Sequence, residues 1–166
     1  MSILELQSAL AALLPRLRRF ARSLTHHRED ADDLVQVAVE RALRALDQYE
    51  PGTRLDSWMF RIAKNRFIDT RRSQQRSGVV AGEVPEDAPA LSGDGARAQD
   101  ARLMLADVSR ALQALPDEQR EALLLVAVEG FSYREAADIL AIPIGTLTSR
   151  IARARDALAP LAPEGA

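Results

Sequence analysis

The sequence predicts an all-α protein in which two small helical domains are joined by a flexible, acidic linker. Only seven of its 166 residues are aromatic, whereas Ala, Leu and Arg are abundant, and this composition favours helix packing over sheets. Apolar residues recur at spacings of three and four along most of the chain, as in amphipathic helices. A central segment lacks that period and divides the helical pattern into two parts.

Residues 1–76 are predicted to form a first domain of three helices. The apolar positions of these helices are, in order, Leu6, Leu10, Leu13, Leu17 and Leu24, then Ala31, Leu34, Ala38, Ala42 and Leu46, then Met59, Ala63 and Phe67. Because Pro15 lacks an amide proton and clashes with the preceding turn, we expect the first helix to kink or restart there. Pro51 and Gly52 predict a turn before the third helix.

Residues 77–97 are predicted to form the linker, and residues 98–166 the second domain. The linker contains four glycines, two prolines and four acidic residues, a composition typical of a flexible segment. The apolar positions of the next helix are Leu103, Val108, Leu112 and Leu115. The helix after it has Pro116 in its first turn and Gly130 as its stop signal.

The segment SYREAADILAIPIGTLTSRIARAR has the pattern of a helix-turn-helix. Ser132 and Glu135 fit a capping box that starts its first helix, which we expect to end at about Leu140. Pro143 and Gly145 mark the turn and the start of the second helix.

The second helix of this motif is predicted to present polar side chains to DNA. At 100° per residue, its inward stripe consists of Leu147, Ile151, Ala154 and Leu158. The residues able to reach phosphates and base edges in a major groove are Thr146, Thr148, Ser149, Arg150 and Arg153. From the residues alone, an αα-hairpin with a solvated arginine face remains the alternative.

The third helix of the first domain carries a stripe of cations, an amide and an indole. Its members are Trp58, Arg61, Lys64, Asn65 and Arg72. This combination suits single-stranded DNA, because cations follow the backbone, an aromatic face stacks on a base, and an amide hydrogen-bonds to an unpaired base. The alternative is that Trp58 belongs to the core, since a lone tryptophan is usually largely buried.

The composition also excludes several classes of function. The absence of cysteine excludes disulfides, thiolate nucleophiles and iron–sulfur clusters. No nucleophile stands with a recognisable base, and no phosphate-binding glycine loop occurs, so we expect no catalysis, metal, cofactor or small-molecule substrate. Neither a secretory signal nor an apolar run of about 20 residues is present. We therefore expect a cytoplasmic protein without direct membrane insertion.

The net charge of −2 is unevenly distributed. Residues 1–76 hold 14 basic and 10 acidic residues, whereas residues 100–166 hold 7 and 10. A free-standing DNA-binding protein usually has a clearly basic surface, because phosphate neutralisation supplies most of the non-specific affinity. We therefore expect weak DNA binding by this chain alone.

Three motifs occur in the order typical of one family: an Asp-Leu-Val-Gln run, a Pro-Gly-Thr turn followed by Trp and an Arg-Ile-Ala-Lys-Asn helix, and a Gly-Thr-Leu-Thr-Ser-Arg helix. With these motifs, nearly the whole chain outside the linker resembles regions 2 and 4 of bacterial extracytoplasmic-function sigma factors, the smallest members of the sigma-70 family. The resemblance implies that the first domain is sigma region 2 and the second is sigma region 4. It further implies promoter-specific transcription initiation.

The resemblance gives each candidate surface an expected partner. The surface of Asp33, Leu34 and Gln36 would dock onto the clamp helices of the largest subunit of core RNA polymerase, and the β-subunit flap is a second expected contact. The stripe beginning at Trp58 would capture and open the −10 element of promoter DNA, and the helix-turn-helix residues would read the −35 element. An anti-sigma factor, often membrane-linked, is the expected regulator and would hold the protein at the inner face of the membrane.

Two alternative functions remain open from the sequence. A sigma-mimicking adaptor would sequester an anti-sigma factor without recruiting polymerase, but it would have no need for DNA-facing groups such as Arg150 and Arg153. A helix-turn-helix regulator outside the sigma family would act at an operator, but the net acidity and the Asp-Leu-Val-Gln run argue against it. The chain also departs from the family pattern at Val37, where an acid is common, and at Leu55 and Asp56, where aromatic and basic residues are frequent.

Overall fold

A computed structural model describes residues 3–25, 27–77 and 96–161, with side chains except at residues 3, 96–102 and 161. Seven α-helices account for most of these ranges: α1 (Ile3–Leu24), α2 (Arg28–Arg44), α3 (Leu55–Arg76), α4 (Ala96–Ala114), α5 (Asp117–Leu123), α6 (Tyr133–Leu140) and α7 (Ile144–Leu158). The all-α prediction is confirmed. Within the described ranges, no helix is long and apolar enough to cross a membrane. The predicted linker lies outside the described residues except at its ends, where Ala96 and Arg97 already belong to α4.

The first three helices form where the apolar pattern predicts them. Helix α1 is continuous through Pro15, so the predicted restart at that residue is wrong. The turn before α3 contains Gly52 with φ +99°, a conformation that favours glycine, and the hydroxyl of Thr53 donates to the carbonyl of Glu50 at 2.8 Å to close it. Tyr49 is buried beside this turn and its hydroxyl donates to the carbonyl of Thr53 at 2.6 Å.

Helix α5 begins after its N-cap Pro116 but does not end as a simple α-helix. It continues as one π-helical turn, Leu124–Val128, which the sequence pattern did not predict. The chain then leaves the helix through Gly130 at φ +74°, which confirms the predicted stop signal. This wider turn places Glu129 at the very end of the element, as its C-cap residue.

The helix-turn-helix is confirmed. In the capping box of α6, the amide of Glu135 donates to the Ser132 hydroxyl at 3.2 Å, and the amide of Ser132 donates to the Glu135 carboxylate at 2.8 Å. The left-handed residue of the turn is Ala141, at φ 53°, and Pro143 is the N-cap of α7. Leu140 and Leu147 are buried between the two helices.

One continuous apolar core runs through both halves of the described chain. Phe60 of α3 lies at its centre, with ring centroids 5.1 Å from Phe20 of α1 and 5.2 Å from Phe131 before α6. Leu103 does not join this core and is 61% exposed. The reason is its spacing of nine residues from Leu112, the α4 residue that packs against the core, which places the two side chains about 180° apart around the helix.

Candidate nucleic-acid interface

Helix α7 separates an apolar face from a polar face as predicted. Leu147, Ile151 and Ala154 are each at most 1% exposed and pack inward against the core. Of the predicted contact residues, those that are exposed are Thr146, Thr148, Ser149 and Arg153, and Ala152 and Asp156 are exposed beside them. The arginine face therefore projects from a helix that is fixed from beneath, as a groove-reading helix requires.

The polar face of α7 borders a cleft of about 370 Å³ together with the start of α5. The residues lining it are Pro116, Glu118, Gln119, Thr146, Ser149, Arg150 and Arg153. Arg150 is the least exposed of the α7 candidates, because its Nη2 lies 3.0 Å from Oε2 of Glu118. The sequence did not single out Glu118, since an acid in the first turn of a helix is explained by the helix dipole.

The hydroxyl candidates on α7 already use their protons within the helix. Thr148 Oγ1 donates to the carbonyl of Ile144 at 2.9 Å, and Ser149 Oγ donates to the carbonyl of Gly145 at 3.0 Å. Their lone pairs still face solvent and can accept hydrogen bonds from base amino groups. Donation to a phosphate requires either hydroxyl to rotate away from its carbonyl, so Arg150 and Arg153 carry most of the donor capacity of this face.

The predicted stripe on α3 is only partly free. Arg61, Asn65 and Arg72 are exposed. Trp58 is half-buried, because it packs on the core and its ring lies 5.5 Å from that of Tyr49, so the core alternative holds for part of the indole. Lys64 is engaged by the second half of the chain: its Nζ donates to the carbonyl of Leu140 at 3.0 Å.

The three residues predicted on α2 divide between surface and core. Asp33 and Gln36 are exposed, whereas Leu34 is 4% exposed and packs in the core beneath them. Asp33 pairs with Arg66 of α3 at 3.6 Å, and Gln36 Nε2 donates to the Glu40 carboxylate at 3.2 Å. The exposed face available for docking therefore consists of the polar members, and Leu34 positions them.

The carboxylate of Asp56, one of the positions that departs from the family pattern, is bound by other groups of the same chain. Burial would raise the pKa of its carboxyl, but hydrogen bonds from Arg54, from the amide of Ser57 and from Arg16 outweigh that effect and hold the pKa below its ordinary value. Arg54 also reaches the capping-box residue Glu135. Asp56 thus orients arginines where the first half of the chain meets the second.

Comparisons with known proteins identify two regions of one family in this chain. Family models match residues 10–77 as Sigma-70 region 2 and residues 105–158 as Sigma-70, region 4. The chain is 39% identical over 157 residues to the ECF RNA polymerase sigma factor EcfG of Rhodopseudomonas palustris, across 95% of this chain and 84% of that protein.

Solved structures of similar proteins extend the likeness to both halves at once. The sigma factor RpoE in complex with the anti-sigma factor NepR from Bartonella quintana is 36% identical, with a TM-score of 0.81 over 95% of this chain and 96% of that one. CnrH in complex with the cytosolic domain of CnrY is 31% identical, with a TM-score of 0.65 over 93% of this chain and 88% of that one.

Proposed function

This chain belongs to the extracytoplasmic-function sigma factors of the sigma-70 family and directs transcription initiation, and on that premise we propose how its surfaces divide the work. Residues 1–76 act as region 2, which binds core RNA polymerase and the −10 element. Residues 98–166 act as region 4, which reads the −35 element. Residues 77–97 connect them. As a sigma factor, the chain is an initiation factor rather than an enzyme.

The exposed polar face of α7 carries this proposal. Its side chains are Thr146, Thr148, Ser149, Arg150 and Arg153, and they project into the major groove of the −35 element. Arg150 and Arg153 donate to base edges and phosphates, and Arg150 exchanges Glu118 for DNA when it does so. The start of α5, across the cleft, lies beside the DNA backbone.

The stripe on α3 holds the unpaired −10 strand. Arg61, Lys64 and Arg72 follow the phosphates, Asn65 hydrogen-bonds to a base edge, and the exposed part of Trp58 offers a stacking surface. Each base captured outside the duplex offsets an unstacking cost of a few kcal/mol, so capture favours the melted promoter. This face assists melting by holding the open state.

Core polymerase and an anti-sigma factor are the proposed protein partners. Asp33 and Gln36 dock onto the clamp helices of the largest subunit, Leu34 supports them from beneath, and region 4 contacts the β-subunit flap. Polymerase then supplies much of the affinity for the DNA backbone that a chain of net charge −2 lacks. The likeness to RpoE bound to NepR and to CnrH bound to CnrY supports an anti-sigma partner, which can hold this cytoplasmic protein at the membrane.

In vitro transcription with purified core polymerase on a promoter library tests these assignments. Arg150→Ala should lose roughly 5- to 150-fold in initiation from the selected promoters, because a well-placed arginine contact contributes about 1–3 kcal/mol. Gln36→Ala should weaken binding to core polymerase on every promoter alike. Matched controls are Arg155→Ala, on the opposite flank of α7, and Gln7→Ala, on the surface of α1; both residues are exposed.

The controls separate the possible outcomes. Initiation that survives Arg150→Ala but fails with Arg155→Ala would contradict the assigned DNA face. A protein that binds an anti-sigma factor but never initiates with core polymerase would instead be the sigma-mimicking adaptor.

A further inference from the structure

Region 4 is fastened to region 2 by a buried carboxylate, Glu129, and we propose that this contact is an autoinhibitory latch that keeps the free sigma factor closed. The proposal goes beyond the assignment of surfaces above and rests on it in one respect, namely that polymerase binds the open chain. The latch consists of Glu129, which follows the π-helical turn, and of Arg16 and Arg19 on α1.

Glu129 is bound by both arginines at once. Its side chain is 1% exposed. Arg16 Nε donates to Oε2 at 3.0 Å, Arg16 Nη2 donates to the Glu129 carbonyl at 3.0 Å, and Arg19 Nε donates to Oε1 at 3.1 Å. Residues more than 100 positions apart are thereby joined through both carboxylate oxygens and a main-chain oxygen.

The neighbours of the latch lock its geometry. The guanidinium of Arg16 lies 5.4 Å from the ring centroids of both Phe60 and Phe131, one from each half of the chain. Its Nη1 also lies 3.2 Å from the Asp56 carboxylate. Arg16 is therefore held by both halves, and a change at Glu129 acts on the whole contact.

Charged contacts make this closure specific and reversible. A buried ion pair contributes little net stability over an apolar contact, but leaving one partner buried without the other is strongly unfavourable. When the halves separate, Glu129, Arg16 and Arg19 all regain water, whereas Phe60 and Phe131 lose their mutual contact and need a partner's apolar surface in its place. A second ion pair between the halves, Arg71 to Asp117 at 2.8 Å, is partly exposed and therefore contributes less. Such a contact can be exchanged for a partner's surface.

The closed chain cannot serve both promoter elements. The −35 and −10 elements are about 25 base pairs apart, which is roughly 85 Å of duplex at about 3.4 Å per base pair. A compact chain of 166 residues has a radius of gyration of about 15 Å and hence a diameter of roughly 40 Å. Closure also holds Lys64 of the −10 surface on the carbonyl of Leu140. Function therefore requires the latch to open.

Single-molecule energy transfer on the full chain tests the latch. The chain has no cysteine, so Asp47→Cys and Ala157→Cys, at exposed positions of the two halves, provide a clean dye pair. Glu129→Lys opposes Arg16 and Arg19 with a like charge, and Glu129→Lys with Arg19→Glu restores an opposite-charge pair. Asp107→Asn is the matched control, because its ion pair with Arg110 lies within α4 at the surface. Far-UV circular dichroism verifies that each variant retains its helices.

We expect high transfer in the unaltered chain, low transfer with Glu129→Lys, and recovered transfer in the double variant. Affinity for core polymerase should follow the open fraction, since the apparent Kd equals the intrinsic Kd divided by that fraction. Glu129→Lys should therefore bind core polymerase more tightly, by the same factor by which the open fraction rises in the transfer measurement. Asp107→Asn should change neither measurement.

Two results would overturn the proposal: unchanged transfer with Glu129→Lys, or open chains that bind core polymerase no more tightly than closed ones. If neither open nor closed chains bind core polymerase, the assigned polymerase surface is wrong, and the inhibitory role is wrong with it. The transfer measurement still decides whether Glu129 holds the halves together.

Discussion

The two helices proposed to face DNA in this sigma factor differ in what determines their surfaces. Helix α7 presents its apolar face to the core of region 4 and, apart from Arg150, which pairs with Glu118 of α5, its polar face to solvent. The exposure of the other polar residues of α7 follows from its own sequence period. Helix α3 carries an equally clear stripe, yet Trp58 packs partly on the core and Lys64 is bound by a carbonyl of region 4. A surface read from local period is thus reliable only where no distant element covers it.

The largest expected effect comes from breaking the contact that Arg120 makes between the two halves of the chain. Arg120 is 1% exposed, and its guanidinium donates to the carbonyl of Leu115 and to that of Leu24, both at 3.0 Å. One side chain therefore satisfies orphan carbonyls after α4 and at the end of α1. Arg120→Met should lower the free energy of unfolding by about 3–5 kcal/mol, because the two carbonyls lose their donor inside the fold, while Asp117 keeps its ion pair with Arg71.

Urea unfolding followed by circular dichroism measures this loss. Arg110→Met is the matched control, because Arg110 is 72% exposed and pairs with Asp107 within α4. It should change the free energy of unfolding by no more than about 0.5 kcal/mol. Equal effects of the two substitutions would mean that the buried arginine does not join the halves.

The sequence could predict what depends on neighbours along the chain. The helices, the capping box of Ser132 and Glu135, the stop at Gly130 and the faces of α7 all follow from local period and turn chemistry. The contact between the two halves could not be predicted from the sequence, because Arg16 and Glu129 are 113 positions apart and neither belongs to a local pattern. Acids and arginines on helix surfaces are usually solvated, so their burial is visible only in the fold.

A smaller effect is expected from the carboxyl of Glu121, which is buried near Lys64 of α3 and Arg150 of α7. Burial raises the pKa of Glu121 to about 7 from an ordinary 4.5; Asp117 adds to this rise, and Lys64 of α3, Arg150 of α7 and Arg120 oppose it. Between those two pH values the folded protein binds a proton that the unfolded chain has lost. The contribution of Glu121 to stability is therefore full below about pH 4.5 and is lost as the pH rises through about 7.

Glu121→Gln isolates this contribution, because it keeps the shape of the side chain without its titration. Its free energy of unfolding should exceed that of the unaltered chain by roughly 1–3 kcal/mol at pH 8, and the difference should shrink toward pH 5. Thermal and urea unfolding over that pH range provide the measurement. A difference that grows toward acid pH would show that Glu121 is stabilised as the anion by Lys64 and Arg150.

The smallest expected effect is on DNA binding by α3, where Lys64 is covered by region 4 and Arg61 is exposed to solvent. Arg61 is exposed, whereas Lys64 is held by region 4, so the two cations should act alike only after the chain opens. In the complex with core polymerase, Arg61→Ala and Lys64→Ala should each weaken binding to a single-stranded −10 oligonucleotide a few-fold. Each should also reduce the slope of log affinity against log salt concentration by about 0.7. In the free chain, only Arg61→Ala should do so.

Fluorescence anisotropy across a range of salt concentrations measures both slopes, and Arg76→Ala, at the exposed end of α3, reports any general loss of charge. If Lys64→Ala reduces the slope in the free chain as much as Arg61→Ala does, then Lys64 reaches DNA without any opening. The α3 surface would then be as accessible as that of α7, and the carbonyl of Leu140 would not restrain it.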